Sequence, residues 1–246
     1  PHADDNDLRR HGATRIYDIG IRERETLEAQ DQIIQRFVAE SYAERLSGRP
    51  LSSWEFNHAL GQWVLENARH PQRSFVAAAA SLGVPVFWDS LANHSIAMNL
   101  VVTDAAGYPV QLSPQRDILD SAAVVFSSTQ SGFIELGGGG PKNFIQQTSP
   151  TISQILKIEF EGAERGLQIG TAVEKEGSLS GCTFSESVTW GKYQSADETK
   201  LVQIWGEYSV MFPLLAAFVL DNCRVRKPGN LVARMPEFIG LLEEKR

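Results

Sequence analysis

Lys192 is the residue of this sequence whose neighbours most favour chemistry. It ends the run ESVTWGK (residues 186–192), in which Glu186 lies six positions upstream and Trp190 and Gly191 directly precede the lysine. Burial beside aromatic rings disfavours the ammonium form of a lysine, and a neutral amine can attack a carbon–nitrogen double bond. The alternative is a surface lysine after a partly buried tryptophan. These few residues alone favour that alternative, because aromatic neighbours seldom mark a catalytic lysine.

A run of four glycines, Gly137 to Gly140, separates a predicted strand that ends at Leu136 from a predicted helix that begins at Pro141. Residues without side chains let a ligand approach the backbone, and the first turn of the following helix favours an anion. The run lacks the Walker A and the G-x-G-x-x-G spacing, and such runs also serve as tight turns. Ligand binding and a simple turn are equally open at this point.

Two more loops follow predicted strands. The loop from Thr171 to Cys182 carries hydroxyl groups, which could hold a ribose or phosphate or could cap their own backbone. The other contains Glu207, and an acidic residue at a strand end either accepts ribose hydroxyls or caps the next helix. Three loops at one edge of a parallel sheet would surround a single crevice, with Lys192 beside it.

The helices and strands that position these residues are predicted from the spacing of apolar residues and from the glycines and prolines that end them. Predicted helices cover 25–46, 74–82, 118–127, 141–156, 186–193 and 209–220, and Ser52 or Ser53 caps a further helix with a stripe at Phe56, Leu60, Trp63 and Val64. Predicted strands cover 84–88, 132–136, 167–170 and 201–205. This alternation predicts an α/β fold, a mostly parallel Rossmann-like sheet flanked by helices. No interdomain linker is evident, and a single domain over 1–246 is expected.

The composition and charge of the chain argue against several classes of function. A net charge of −7 and a pI near 5.3 argue against nucleic acid as a partner. The two cysteines and five histidines show no metal-ligand spacing, so no metal site is predicted, and the cysteine usage fits the cytoplasm. The sequence shows neither a signal peptide nor an apolar run long enough for a membrane span.

Several segments together resemble the deoxyhypusine synthase family. They are LGGGGPKN (136–143), Ser180-Gly181, ESVTWGK (186–192) and FPLL (212–215), in the order and spacing of that family, with LRRHGATRI (8–16) and VPVF (84–87) in addition. The resemblance spans nearly the whole chain, and its Trp-Gly-Lys segment is the most specific part. In the family further NAD-binding loops precede the point where this sequence begins, so the chain is expected to lack the family's N-terminal portion.

The resemblance implies an NAD-dependent aminobutyl transfer from spermidine, in which the butyl-imine is carried on a lysine that Lys192 matches. Glu186 and Trp190 match residues that hold the polyamine. The positions implied to contact NAD are Gly137, Gly138, Gly139, Thr171, Ser180, Gly206 and Glu207. The family also implies a homotetramer with active sites at the interfaces of subunit pairs.

Departures from the family pattern concern the acceptor of the transferred group. Asn143 stands where the family has a histidine, and Asn93 and Met98 stand where it has aspartates, while Leu179 replaces an acidic residue. Asparagine can hydrogen-bond an amine but cannot exchange a proton with it. With Asn143 and Asn93 as substrate contacts, the prediction is a small amine acceptor and homospermidine-type synthesis from putrescine or agmatine. The alternatives are a deoxyhypusine synthase acting on a translation-factor lysine, and a non-catalytic protein that binds NAD or polyamine.

Overall fold

The computed structural model describes residues 4–16, 19–178, 181–197 and 199–246. Contacts between Cα atoms divide the chain into two compact units. The first, here called the hairpin unit, consists of Pro1–Leu51 and Ser90–Leu112, and the second, the sheet unit, consists of Ser52–Asp89 and Ser113–Arg246. All but one of the predicted site residues belong to the sheet unit.

The described residues form helices, short helical turns and strands in the following order. The α-helices are α1 (Asp5–Arg10), α2 (Ala29–Ser41), α3 (Ser53–Asn67), α4 (Phe75–Leu82), α5 (Ser95–Ala105), α6 (Pro114–Phe126), α7 (Gly140–Gln146), α8 (Thr148–Pro150), α9 (Phe184–Thr189), α10 (Tyr208–Asn222) and α11 (Leu231–Glu243). Wider π-helical turns cover Glu23–Glu28, Tyr42–Leu46 and Thr151–Ile155, and a 3-10 turn covers Pro71–Arg73. The strands are β1 (Ala13–Ile16), β2 (Ile19–Arg22), β3 (Gly132–Leu136), β4 (Arg165–Gly170) and β5 (Leu201–Trp205).

The sheet unit contains a three-stranded parallel sheet with the strand order β3-β4-β5. Gly132 pairs with Arg165 at the start of the first ladder, and Gly166 pairs with Leu201 in the second. Consecutive parallel strands require crossover connections, which here pass through α7 and α8 and then through α9. The mixed α/β architecture with a parallel sheet and flanking helices confirms the predicted fold class.

The core of the sheet unit lies where helices cover the sheet. Its buried members are Trp54, Ala122, Ala123, Val125, Phe133, Ile152, Ile158, Ala163, Tyr193, Leu201, Met235, Phe238 and Leu242. Three of them come from α11, an amphipathic helix that packs against α6 and that the sequence patterns did not predict. Asn230 caps the start of α11 by accepting the Ala233 N–H (3.3 Å).

One predicted strand is absent. Residues 84–88 have no regular secondary structure and pair with no strand among the described residues. Side chains of α3 satisfy their backbone instead: Asn57 Nδ2 donates to the Val86 carbonyl (2.8 Å), and the Trp88 N–H donates to Ser53 Oγ (3.0 Å). Pro85 also lacks the donor that a strand would need. An apolar run predicts burial here, but it does not decide which groups take its hydrogen bonds.

The hairpin unit holds the antiparallel pair β1–β2 and the helices α2 and α5, which pack on each other. Helical structure over residues 23–46 confirms the predicted helix 25–46. The hairpin and α5 were not predicted. Asn99 is buried in this unit and donates from Nδ2 to Asp31 Oδ1 (2.6 Å).

Within the described ranges, no helix combines the length and the apolar character that crossing a bilayer requires.

Candidate functional site

The position of Lys192 is set by the end of α9. The Gly191 N–H donates to the Val188 carbonyl (2.9 Å), and the Lys192 N–H donates to the Ser187 carbonyl (3.1 Å). This pair of bonds ends a helix when the first of the two donor residues is left-handed, and Gly191 has a φ of +69°. The predicted helix 186–193 is therefore too long, because Gly191 reverses the chain at the end of α9.

A cavity of ≈ 280 Å³ lies at Lys192. The cavity is lined by residues of α7 and its C-cap, of the loop before α9, of α9 and of the turn that follows α9. They are Asn143, Gln146, Gln147, Cys182, Glu186, Trp190 and Lys192. Lys192 is only 7% exposed, whereas Trp190 is 54% exposed and Glu186 is also exposed. A cationic ligand entering this cavity meets a carboxylate and an indole before it reaches the buried amine.

The predicted substrate residues separate into two groups. Lys192, Glu186, Trp190 and Asn143 share the cavity. Asn93 belongs to the hairpin unit, where it is exposed in the bend before α5. Its assignment as a substrate contact stays a prediction.

The three predicted loops begin side by side at the carboxyl edge of the sheet. The Gly137 N–H donates to the Ile169 carbonyl (2.8 Å), and the Gly206 N–H donates to the Gly170 carbonyl (3.1 Å). A Cβ atom added to Gly170 would lie 3.3 Å from the Gly137 carbonyl oxygen, so the backbones of the first two loops are in close contact.

The glycine run is uncovered beside Gly139, whereas the Tyr208 ring lies beside Gly137 and the Asp89 carboxylate beside Gly140. Gly137 and Gly139 have φ values of +74° and +79°, a region that favours glycine. Apart from Gly139 and its two chain neighbours, no heavy atom of the described residues lies within 4 Å of the place that a Cβ atom on Gly139 would occupy, so the space beside it is open. Gly138, between them, is partly exposed. Open backbone followed by the first turn of α7 fits a phosphate-bearing ligand.

The other predicted cofactor residues differ in what the structure shows of them. Thr171 is exposed directly after β4. Glu207 caps α10, since its Oε2 accepts the Ser209 N–H (3.0 Å), which is the helix-capping alternative that such a position offers. Its second carboxylate oxygen has no partner among the described residues. Ser180 and the neighbouring Leu179 lie outside the described residues, so their predicted roles are not addressed.

Taken together, these residues fit NAD. They supply open backbone at Gly139, a hydroxyl at Thr171 and a carboxylate oxygen at Glu207, which suit phosphate and ribose groups. No side chain fills the space beside Gly139. Among the described residues, no group of three or more histidine, cysteine, aspartate or glutamate side chains is placed to hold a metal ion.

A row of polar side chains that the sequence patterns did not reveal crosses the sheet near the cavity. Glu135 on β3 is the register partner of Gln168 on β4, which in turn pairs with Gln203 on β5. Glu135 and Gln168 are buried. Glu135 Oε1 accepts hydrogen bonds from Gln146 Nε2 (2.5 Å) and from the Tyr193 hydroxyl (2.9 Å). Because Gln146 also lines the cavity, the Glu135 carboxylate lies one side chain away from it.

Lys142 is the second buried lysine of the site. Its Nζ donates to Gln168 Oε1 (3.0 Å) and to the Cys182 carbonyl (2.8 Å). Burial lowers the pKa of Lys142, against the opposing attraction of the Glu135 carboxylate. Burial likewise raises the pKa of Glu135, although its hydrogen bond from Gln146 and the charge of Lys142 oppose the rise. Burial and the neighbouring Glu135 raise the pKa of Tyr193, which therefore remains a hydrogen-bond donor.

A signal for this row does exist in the sequence. Each strand of the sheet carries a glutamate or glutamine one or two positions before its end, at Glu135, Gln168 and Gln203. In β3 the buried positions alternate, so that Phe133 and Glu135 point to the same side. Knowing the strand register is what turns three separate polar residues into one row.

Comparison with known proteins places the chain in a family. The profile of the deoxyhypusine synthase family matches residues 1–219. The "Deoxyhypusine synthase-like protein" of Nostoc punctiforme is 32% identical over 233 residues, covering 92% of this chain and 58% of the relative. The "Probable deoxyhypusine synthase 2" of Methanosarcina mazei is 33% identical over 222 residues, covering 90% of this chain and 61% of the relative.

The fold has a counterpart among solved structures. A crystal structure of an Entamoeba histolytica protein assigned as a deoxyhypusine synthase matches with a TM-score of 0.56 at 13% identity, covering 83% of this chain and 59% of that one. The chain spans about three-fifths of the length of the curated relatives it matches. The family profile matches well over half of the chain, from residue 1 to residue 219. On this basis the chain belongs to the deoxyhypusine synthase family.

Proposed function

We propose that this protein transfers the 4-aminobutyl group of spermidine, in an NAD-dependent reaction, through an imine on Lys192 to a small amine such as putrescine or agmatine. The observation that carries the proposal is the burial of Lys192 in the same cavity as Glu186 and Trp190. An amine, a carboxylate and an indole face are the groups that a covalent carrier of a polyamine needs.

Lys192 is the nucleophile of the proposed cycle. Its neutral Nζ attacks the carbon of a substrate C=N bond, the bond from that carbon to the departing diamine breaks, and the aminobutyl group remains on Lys192 as an imine. The acceptor amine then attacks the same carbon and the bond to Lys192 Nζ breaks. Each exchange forms one C–N bond, breaks another and moves a proton from the attacking nitrogen to the leaving one.

Glu186 and Trp190 hold the polyamine during these exchanges. The exposed carboxylate of Glu186 pairs with an ammonium group, and the exposed indole of Trp190 packs on the methylene chain or on a cation. Asn143 offers an amide to the acceptor amine and carries no charge. Unlike a histidine, it cannot take a proton from the acceptor amine, and this difference is the ground for proposing another acceptor.

NAD is the cofactor of the proposal, and bound NAD supplies the oxidation of the amine to an imine and the final reduction of the product imine. The residues that would hold it are Gly137, Gly138, Gly139, Thr171, Ser180, Gly206 and Glu207. The open space beside Gly139 supports this assignment.

The primary test is a trapping experiment. Incubation with spermidine, NAD and borohydride should add about 71 Da to Lys192, the mass of one reduced aminobutyl group. Lys192→Ala should abolish both the adduct and the transfer while NAD binding by calorimetry is retained, and the exposed Lys245→Ala is the matched control. No adduct on the wild-type protein would favour the non-catalytic alternative, in which NAD or polyamine binds without turnover.

A competition experiment addresses the acceptor. The protein is incubated with spermidine, NAD and equal amounts of putrescine, agmatine and a translation factor of the hypusine-bearing type, and products are identified by mass spectrometry. A small-amine product is expected. Modification of the translation factor instead would establish the deoxyhypusine synthase alternative, which the names of the similar proteins support. Asn143→His should then shift the preference towards the protein lysine if this position sets the acceptor.

A homotetramer, with sites at the interfaces of subunit pairs, is part of the proposal. Supporting it, α10 exposes a run of apolar side chains that includes Val210, Leu214, Phe218, Val219 and Leu220. Exposed apolar surface of this kind commonly marks an interface. Leu214→Glu should reduce the mass measured by light scattering, whereas an unchanged mass would exclude α10 from the interface.

A further inference from the structure

Glu135 is the least satisfied charged group of the candidate site. It is 4% exposed, and its Oε2 has no hydrogen-bond partner among the described residues, while Oε1 accepts from both Gln146 and Tyr193. A buried carboxylate oxygen without a donor is costly, and such groups in folded proteins call for an explanation. An oxygen that must receive a proton during a reaction would have this environment.

The ionisable groups around Glu135 come from every element that surrounds it. Lys142 on α7 and Lys192 after α9 attract its negative charge. Tyr193 donates to it and stays protonated. Cys182, in the loop before α9, and Glu186 on α9 act electrostatically on Lys142. Glu135 is thus the one buried carboxylate of a described cluster that holds two lysines.

The proposed transfer requires a place for a proton, and the cavity wall offers few. Asn143, Gln146 and Gln147 are amides, which do not exchange protons near neutral pH. Glu186 is exposed and, in the proposed function, is paired with the substrate cation. The Lys142 Nζ is already engaged as a donor by two oxygen acceptors, Gln168 Oε1 and the Cys182 carbonyl. The Cys182 Sγ is engaged with the Thr183 carbonyl (3.6 Å) and with Ser187 Oγ (3.3 Å), and Glu135 is the remaining carboxylate adjoining the cavity.

We propose that Glu135 holds the proton that Lys192 gives up when it becomes a nucleophile. This inference rests on the proposed function. Lys192 attracts Glu135 without forming an ion pair with it among the described residues, so the transfer takes place when the two side chains approach. The proton then leaves the Lys192 ammonium and binds Glu135 Oε2, which converts the carboxylate to a carboxylic acid and the ammonium to a neutral amine. When the diamine departs, the proton passes from Glu135 to its nitrogen. Each transfer moves only a proton, so neither requires an oxidant, a reductant or another reactant.

The environment of Glu135 suits this role. Burial raises its pKa above the ordinary 4.5, which brings it nearer to the pH at which an amine must be deprotonated. The two donors on Oε1 fix the carboxylate and leave Oε2 as the oxygen that can take a proton. A proton moving between a lysine and a glutamate also leaves the net charge of the buried cluster unchanged.

Glu135→Gln is the direct test, because the amide oxygen can still accept from Gln146 and Tyr193 while the proton-binding oxygen is lost. Turnover should fall by about 100-fold or more, the usual contribution of an acid–base group, and the acid limb of the pH–rate profile should disappear. Glu135→Asp should recover on the order of tenfold of the loss, because it restores a carboxylate. The matched control is Glu159→Gln, which alters an exposed glutamate outside the cavity. Wild-type turnover with an unchanged acid limb in Glu135→Gln would overturn the inference.

A second measurement reads Glu135 without any turnover. Infrared titration of the wild-type protein should show a carboxylic acid C=O band that persists above pH 4.5 and is missing in Glu135→Gln. A spectrum with no such band would overturn the inference even if turnover fell. If no adduct forms on wild-type Lys192, the proposed function fails, and the titration still reports on Glu135. If the adduct forms equally fast in Glu135→Gln, only the role of Glu135 fails.

Discussion

Two buried carboxylates of the sheet unit, Asp117 and Glu135, look alike until their neighbours are compared. Each has one oxygen with two donors and a second oxygen without a partner among the described residues. Burial raises the pKa of both groups. The donors to Asp117 are the Ser52 hydroxyl (2.5 Å) and the Ser53 N–H (2.7 Å) at the start of α3.

The difference lies in the charges nearby. Two lysines attract Glu135, whereas the charge that acts on Asp117 is that of another carboxylate, Glu55. Asp117 therefore anchors a helix terminus, whereas Glu135 lies in the electrostatic field of two lysines. Burial and an unpartnered oxygen do not by themselves identify a reactive carboxylate, and a titratable partner beside a cavity is what separates the two.

The largest effect on stability should come from Asp117→Ala. Removing this carboxylate leaves the Ser52 hydroxyl and the Ser53 N–H without their buried acceptor, which should lower the free energy of unfolding by about 3 kcal/mol. Urea denaturation measures the change. Turnover per folded molecule should stay at the wild-type value, in contrast to Glu135→Gln. A loss of turnover with intact stability would erase the distinction between the two carboxylates.

Trp54→Phe should have the next largest effect. Trp54 Nε1 donates to Asp120 Oδ2 (2.8 Å), and phenylalanine keeps most of the packing but leaves that buried carboxylate oxygen without its donor. A loss of about 2 kcal/mol in the free energy of unfolding is expected, since the partner is charged. An unchanged midpoint in urea would mean that Asp120 finds another donor.

Asp120 should also make the stability of the sheet unit depend on pH. Burial raises its pKa above 3.8, so the folded state binds the proton more tightly than the unfolded state does. The stabilisation is fully present below pH 3.8 and is lost as the pH rises through the folded-state pKa. Urea denaturation at a series of pH values should show this decline in the wild type and a smaller one in Asp120→Asn. Parallel curves for the two proteins would contradict it.

Glu55→Gln should have the smallest effect. Glu55 Oε2 accepts the Ser52 N–H (2.9 Å) and pairs with Arg116 Nη2 (3.2 Å) at a partly exposed position. Glutamine retains an acceptor for the helix start but loses the charge, so a decrease of about 0.5 kcal/mol is expected. Thermal denaturation measures it. A loss as large as that of Asp117→Ala would show that the ion pair, rather than the buried aspartate, anchors α3.

The sequence predicts the sheet well because strands and loops have local signals. β3 and β5 begin and end at the predicted residues, since each is a short apolar run bounded by glycine or charged residues. The run at residues 84–88 has the same local signal but finds its partners in the side chains of Asn57 and Ser53. The hydrogen-bond partners of a buried segment are set by its neighbours in the tertiary structure, and the local spacing of apolar residues does not reveal those neighbours.

The candidate site likewise has features that the sequence predicts and features that depend on the tertiary structure. The adjacency of the three loops follows from parallel topology, and the shared cavity of Lys192, Glu186 and Trp190 follows from their closeness in sequence. Glu135 escapes notice because a polar residue inside a strand suggests a solvent-facing position until the register is known. Its burial depends on the helix that follows, through Gln146, and on Tyr193.

Helix α11 has a consequence for the way the chain folds. It follows the part matched by the family profile, yet Met235, Phe238 and Leu242 join a core cluster whose earliest member in the sequence is Trp54. Closing contacts between segments so far apart costs chain entropy before the contacts stabilise the fold, and such topologies fold slowly. During synthesis on the ribosome, the sheet unit therefore cannot complete its core until α11 has emerged, and the apolar surface of α6 stays open until then.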